Sequence, residues 1–418
     1  MSVLRRIPPV ISAAVFLCAT MAVPTFAGEE VTKNGVLHVL NSAEPSEGRE
    51  TIHLEEVWRV GGEDSEDFFG MISQVVVGGD GTIYLLDTRL SEVPVYSPEG
   101  DRQGTLSREG EGPGETRIPS NLLFMPDGTL GLVQIFPGKI TKIQTDGTPA
   151  GVFEAGNADP TQGGFMQFFD CVTRGDEVII SAESISQAEP GAQDRTNFVA
   201  AFDMEGNEQV RFWETASHLD FANFEFNEDE RNRVDFRRMA VDTDGRFYLA
   251  PERNHYVINV YNAEGTLERV IVREYEHHRR SDEEIQRMRS ALENQLRQLS
   301  DPKIEISQTE PDISGLRIGT DGNLWVDTSR GGIDQPEGIF FTWDVFTPDG
   351  HFLKQVSAAC PGDGENDIMI WTPSGDAVQV TGFTEALRAF QGGGGATDEE
   401  DTEEAAPMEV IYYRLVEI

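Results

Sequence analysis

The sequence predicts an all-β fold made of repeated antiparallel meanders. Three observations predict it: a recurring tight-turn phrase, short apolar runs between the turns, and matching half-units at the two ends of the chain. Turns of Asp-Gly or Glu-Gly type alternately close one hairpin and open the next. The first turns are Asp80-Gly81, Asp127-Gly128, Gly175-Asp176, Asp244-Gly245, Asp321-Gly322 and Ser374-Gly375. Their partners are Glu99-Gly100, Asp146-Gly147, Glu205-Gly206, Glu264-Gly265 and Asp349-Gly350. Glycine supplies φ > 0 without steric cost, and such dipeptides suit primed hairpin turns, so each pair marks one meander.

The first-turn glycines at 81, 128, 175, 245, 322 and 375 lie 47, 47, 70, 77 and 53 residues apart. A four-stranded unit of about 40–50 residues is a propeller blade, and a longer interval is a blade plus an insertion. β-Branched and aromatic runs follow the first turns, as in Thr82-Ile83-Tyr84-Leu85-Leu86-Asp87 and Asn323-Leu324-Trp325-Val326-Asp327. Similar runs precede the second turns, as in Val257-Ile258-Asn259-Val260-Tyr261. Residues 54–60 run directly into the innermost strand of the first blade at 72–77, so they have the place of an outermost strand. The chain ends on a third strand at 409–415, and the N-terminal strand supplies the missing fourth. The expected fold is therefore a six-bladed β-propeller over 51–418, with 28–50 as a linker.

Gly110-Glu111-Gly112-Pro113-Gly114-Glu115, together with the phrase Asp-Gly-x-Ile/Leu-Tyr/Trp-x-x-Asp, resembles the NHL-type and TolB-like six-bladed propellers of exported bacterial proteins. The likeness covers 51–418 and departs from the pattern at Thr116, where an aromatic is expected, and at 254–257, which lacks the usual Arg. It implies a propeller; it does not select a functional subfamily.

The first residues read as an export signal: Arg5 and Arg6, an apolar stretch over 10–23, and Thr25-Phe26-Ala27 before the expected cut after Ala27. That stretch is too short for a comfortable membrane span. The expectation is an exported protein, periplasmic or extracellular, with no stable membrane insertion once the signal is removed. The whole chain has a formal charge of −40. Without Arg5 and Arg6, 31 basic residues face 73 acidic ones, about −42. Such a surface repels nucleic acid and anionic lipid. Cys171 and Cys360 remain after cleavage, and their spacing leaves one disulfide or two free thiols open.

In a propeller the turns between strands one and two and between three and four share one face. The extra length here falls on the other face, at 182–197, 214–233, 274–311, 329–339 and 383–408. Loops on a rigid scaffold are where binding sites reside. Ser281-Asp282-Glu283-Glu284 is a capping box, and Ile285, Met288, Leu292, Leu296 and Leu299 form an apolar stripe, so an amphipathic helix is expected over about 281–300. The glycine run and acidic tract over about 391–407 cannot bury apolar surface and are expected to be disordered.

Chemistry is less legible. Asp242-x-Asp244-Gly245 has the start of a calcium loop but not its later ligands, and it also reads as a hairpin turn. His277-His278 is the one close histidine pair, and adjacent side chains point apart, so no metal site is predicted. No nucleophile elbow and no phosphate loop is present. What stands out in so acidic a chain is a set of cationic and aromatic residues on the long-loop face: Arg89, Arg117, Trp213, Arg253, His255, Tyr256 and Arg330. An arginine there can clamp a carboxylate bidentately or brace neighbouring blades. The expected function is a non-enzymatic binding module with no cofactor, whose long-loop face takes a small anionic ligand or a protein partner. The competing reading is a calcium-dependent hydrolase or lyase, lactonase- or esterase-like, acting at the central channel.

Overall fold

The acidic residue of the recurring turn is a hydrogen-bond acceptor before it is a surface charge. Asp80, Asp127, Asp146 and Asp321 each accept the N–H two residues on, at 2.9–3.1 Å. Only the glycine that follows has φ > 0, so these are not the primed turns expected. Gly100 N donates to Ser97 O at 3.0 Å and Ser97 N to Asp101 O at 2.9 Å, which is a type I turn closed by a left-handed glycine bulge. Pro98 at its second position has the φ such a turn needs.

The structure is a computed structural model describing residues 28–63, 65–156, 164–230, 233–234, 237–391 and 407–416. The proposed signal at 1–27 and all but the two ends of the acidic tract lie outside the described residues. The chain begins with β1 (Glu29–Lys33), β2 (Val36–Asn41) and β3 (Arg49–Gly61). Two meanders follow, β4–β7 (Ile72–Val77, Ile83–Asp87, Val93–Tyr96, Arg102–Leu106) and β8–β11 (Pro119–Phe124, Leu130–Gln134, Lys139–Ile143, Pro149–Phe153). The third meander is β12–β15 (Phe165–Arg174, Glu177–Glu189, Ala192–Phe202, Glu208–Asp220). Short β16 (Glu225–Asn227) precedes the fourth, β17–β20 (Met239–Val241, Phe247–Leu249, Val257–Tyr261, Leu267–Arg273). Helix α1 (Asp282–Gln295) and β21 (Lys303–Glu305) lead to β22–β25 (Ile313–Ile318, Leu324–Thr328, Ile339–Phe346, Phe352–Ala359). The chain closes with β26 (Ile368–Trp371), β27 (Ala377–Val380), α2 (Phe383–Gln391) and β28 (Glu409–Val416).

Apolar side chains fill the space between each meander and the next. Leu86 and Val93 of the first meet Leu122 and Leu132 of the second, and the series continues round to Ile72 and Leu85, which meet Val378 and Val380 of the last. The innermost strands β4, β8, β12, β17 and β22 stand side by side in that order. Sheets stacked face to face round an axis, with the last returning to the first, make a β-propeller.

The N-terminus closes the ring as the sequence predicts. β3 pairs antiparallel with β28, Leu54 opposite Leu415 and Val60 opposite Val410. Residues 28–50, however, are not a plain linker. β1 and β2 form a hairpin, β2 lies parallel to β20, and the first part of β3 lies parallel to β25. One N-terminal stretch thus straps the outer edges of three consecutive meanders. Asn41 fastens it, accepting from Phe352 N at 2.8 Å and donating to Gly350 O at 2.9 Å.

Two insertions also differ from expectation. The 182–197 segment is not a loop: β13 and β14 simply continue, with Ser184 opposite Thr196 and Gln187 opposite Gln193, so the third meander stands taller than its neighbours. Within 383–408, α2 forms because Phe383, Ala386 and Leu387 share one helical face and pack against the core between the last and first meanders. Helix α1 has the expected capping box, Ser281 Oγ accepting from Glu284 N and Glu284 reaching back to Ser281 N. Its stripe is half-buried and it lies against β21, which pairs in parallel with β16. Cys171 and Cys360 are both buried and free.

Candidate functional site at the channel mouth

Four inner strands carry a bulge at the same place, between Ile72 and Gln74, Pro119 and Asn121, Phe168 and Asp170, and Ile313 and Gly315. A bulge adds one unpaired residue and re-aims the side chains beside it. Inner strands start on the long-loop face, so these bulges lie towards that end of the channel. A polar chain runs through them. Gln74 Nε2 donates to Asn121 Oδ1 at 3.3 Å, and Asn121 Nδ2 donates to the Asp170 carboxylate and to Cys171 O at 3.1 Å. Asp170 Oδ2 accepts the backbone N–H of Arg237 at 2.8 Å. The Arg237 guanidinium then crosses to Asp327 Oδ2 at 2.9 Å and Met369 O at 3.3 Å. Every meander contributes one member.

Asp170 is buried, and burial pushes its carboxyl up to about 6, against the opposing bonds from Arg237 N, Cys171 N and Asn121. Arg237 has φ +65° and its own carbonyl accepts Leu316 N at 2.7 Å, so its backbone is held from two sides. Its side chain is 36% exposed, and Nε and Nη1 have no hydrogen-bond partner among the described residues. That leaves two guanidinium donors for a ligand. Gly315 makes room for its partner: a Cβ there would stand 2.7 Å from Asp327 Oδ2.

The seven residues predicted from sequence stand in different settings. Arg253 is buried and fully engaged, with Glu228 Oε1 at 2.9 Å, Thr309 O at 2.6 Å, Ser307 Oγ at 3.0 Å and Asn254 Oδ1 at 2.7 Å. Burial works against the Glu228 charge, but Arg280 and Arg253 outweigh it and hold that carboxyl below its ordinary range. Arg253 is therefore a brace. Tyr256 is buried, its hydroxyl donating to Asp344 Oδ2 at 2.9 Å, and burial drives it far above an ordinary phenol. Trp213 packs half-buried between the third and fourth meanders. Arg89, Arg117, His255 and Arg330 are exposed or half-exposed; Arg117 pairs with Glu111 at 3.1 Å, His255 with Glu252 at 2.8 Å and Arg330 with Glu276 at 3.5 Å. Among the described residues no hydrogen bond or ion pair joins any two of the seven.

Near the fourth and fifth meanders, His277 Nδ1 lies 2.7 Å from Asp312 Oδ1. Burial raises the Asp312 carboxyl despite the His277 contact, and its other oxygen is buried without a partner. Asp242 is committed to its turn, accepting from Asp244 N and Arg246 N at 2.9 Å. Among the described residues no three His, Cys, Asp or Glu side chains gather as a metal ion requires.

The ring residues Gln74, Asn121, Asp170, Arg237 and Asp327 were missed by sequence reasoning that looked for cations on loops. A signal existed. Gln74, Asn121 and Gly315 all lie seven positions before a first-turn glycine, in strands otherwise apolar on their packed faces.

No family model matches the chain, and neither does any curated protein. Among solved structures, a putative exported protein from Bacteroides fragilis has 10% identity over 88% of this chain and 99% of its own, with TM-score 0.45. Regucalcin from Agrobacterium tumefaciens, a calcium-binding protein, has 10% identity over 87% and 96%, with TM-score 0.41. Virginiamycin B lyase from Staphylococcus aureus has 11% identity over 78% and 80%, with TM-score 0.39. Likenesses this distant carry no argument about chemistry. No helix among the described residues is long and apolar enough to cross a membrane.

Proposed function

We propose that this chain is an exported six-bladed β-propeller of the NHL or TolB-like kind that binds a small anionic ligand at the long-loop mouth of its central channel. The observation that carries the reading is Arg237. A half-exposed guanidinium whose Nη2 is tied to Asp327 and Met369 O, with Nε and Nη1 unpartnered among the described residues, suits a carboxylate or phosphate that accepts a single charge-assisted hydrogen bond from either nitrogen. The surrounding acidic residues keep weakly matched anions away, so affinity depends on geometry at that one guanidinium. Arg89, Arg117 and Arg330 on the rim serve the approach rather than the seat.

Calorimetric titration of the mature chain with succinate and with inorganic phosphate tests this. Binding of either probe, weakened at least tenfold by Arg237→Gln with the fold retained by circular dichroism, is the expected result. Failure of both probes, or equal affinity in the variant, overturns it. Stoichiometric calcium lost in a chelator together with thermal stability would select the competing reading, a calcium-dependent hydrolase or lyase.

A further inference from the structure

The third meander's extra height creates a feature the channel ring does not use. Above the level of the other meanders, one face of the β12–β13–β14 sheet displays Phe165, Ile185, Gln187 and Gln193. Their pairing, Phe165 opposite Ile185 and Gln187 opposite Gln193, sets them on the same side. The chain returns over this face after β15. Asp220 caps a 3-10 turn at Phe221–Asn223 by accepting Ala222 N at 2.9 Å, and Phe221 N donates to Gly191 O at 3.0 Å. Between sheet and turn lies a cavity of about 260 Å³ lined by Phe165, Ile185, Gln187, Gly191, Ala192, Gln193 and Phe221.

Its lining is unusual for this chain. A quarter of all residues are charged, yet none of those seven is. Phe136, 55% exposed, forms a lip by setting its ring edge-on to Phe165 at 5.2 Å between centroids. That lip is fixed from behind, since Gly138 N donates to Met166 O at 2.8 Å and Phe168 N to Ile135 O at 3.1 Å. An apolar cavity of roughly 150 Å³ holds a benzene molecule, so this one has room for a six-membered ring with a short substituent. The Gln187 amide offers a donor and an acceptor to the same space, while Gln193, whose Oε1 already accepts from Arg195 Nε at 3.1 Å and Nη2 at 2.8 Å, offers its N–H donors.

We propose that this cavity binds the ring of a small, neutral aromatic molecule bearing a hydroxyl or similar polar group. The ring packs against Phe165 and Phe221, where edge-to-face contacts favour an aromatic over an alkyl chain of equal size. The polar group meets Gln187 and Gln193. The site stands apart from the channel ring: Phe165 is five residues up β12 from Asp170, about 16 Å at the rise of an extended strand. It therefore does not rest on anion binding at Arg237.

Fluorine NMR with 4-fluorobenzyl alcohol as the probe, added at millimolar concentration to the mature chain, provides the test. The expected result is broadening of the probe signal by the wild-type protein. Gln193→Trp, which fills the cavity from a half-exposed hairpin position, reduces that broadening at least fivefold at unchanged melting temperature. Arg237→Gln leaves it unchanged, which separates this site from the anion reading. Should Gln193→Trp fail to fold, Gln187→Trp replaces it, since that residue is exposed. No broadening by the wild type, or the same broadening in the folded tryptophan variant, overturns the proposal.

Discussion

Asp170 binds Arg237 through the wrong group for an ion pair: its carboxylate accepts the backbone N–H at 2.8 Å, while the guanidinium turns away to Asp327. The arrangement spends the buried acid on holding the chain and leaves the cation to Asp327 Oδ2 and Met369 O, part-exposed. It also explains why Asp170 remains a weak acid although an arginine is its neighbour, because burial outweighs what the peptide donors and the nearby charge return.

A pH dependence follows from that. The folded-state value of about 6 lies above the ordinary 3.8, so between these values the native protein binds more protons than the unfolded chain. This group's contribution is fully present below about pH 4 and is lost as pH rises through 6. Asp170→Asn removes the dependence. Relative to wild type, the variant is expected to gain on the order of 3 kcal/mol between pH 4 and 7, about two pKa units at 1.4 kcal/mol each. Urea unfolding of both proteins across that range measures the difference; parallel curves would show that Asp170 does not titrate there.

Trp58 tests the ring closure. It sits on β3 and stacks on Tyr412 of β28 at 5.2 Å and on Tyr96 of the first meander at 6.0 Å, with Nε1 donating to Pro98 O at 3.1 Å. A Cβ on Gly100 would come within 2.6 Å of its ring, so the fit is close. Trp58→Ala is expected to cost about 3–5 kcal/mol, the range for emptying a large aromatic site. A loss below 1 kcal/mol in chemical denaturation would mean that the N-terminal strand is not a structural latch.

Arg253 and Arg330 looked alike in the sequence and are expected to part in experiment. Arg253→Ala leaves half-buried Glu228 to Arg280 and the Ser307 N–H, and losing the buried guanidinium's charged hydrogen bonds is expected to cost about 1.5–3 kcal/mol. Arg330 is half-exposed with a long contact to Glu276, so Arg330→Glu should leave the melting temperature nearly unchanged. Equal melting temperatures for the two variants would contradict the bracing role.

What the sequence made legible was set by local chemistry. Turn glycines, the Ser281 capping box and the alternating runs each act within a few residues, and the closing pair of β3 and β28 followed from counting strands. The turn type was misjudged because Asp-Gly alone does not distinguish a primed turn from a type I turn with a glycine bulge; Ser97-Pro98 before Glu99-Gly100 holds that information. The hairpin at 29–41 was missed since its partner β20 lies far along the chain. The channel ring was missed for a related reason: Gln74, Asn121 and Asp170 are ordinary polar residues until bulges and a shared axis bring them together.

The last prediction concerns Gly315 and Asp327. The added methyl of Gly315→Ala would stand 2.7 Å from Asp327 Oδ2, 3.0 Å from Cγ and 3.2 Å from Cβ, too close for the carboxylate to keep its place. Asp327 is buried and lies opposite Gly315 in the strand pair, so it can yield only by leaving Arg237. The expected cost is about 1–3 kcal/mol, as for other overpacked sites. If the clash is with this carboxylate, Asp327→Ala relieves it, and the double variant is less destabilised than the two single variants added together. Denaturant unfolding of all four proteins measures the coupling, and strict additivity would place the strain elsewhere than on the Asp327 side chain.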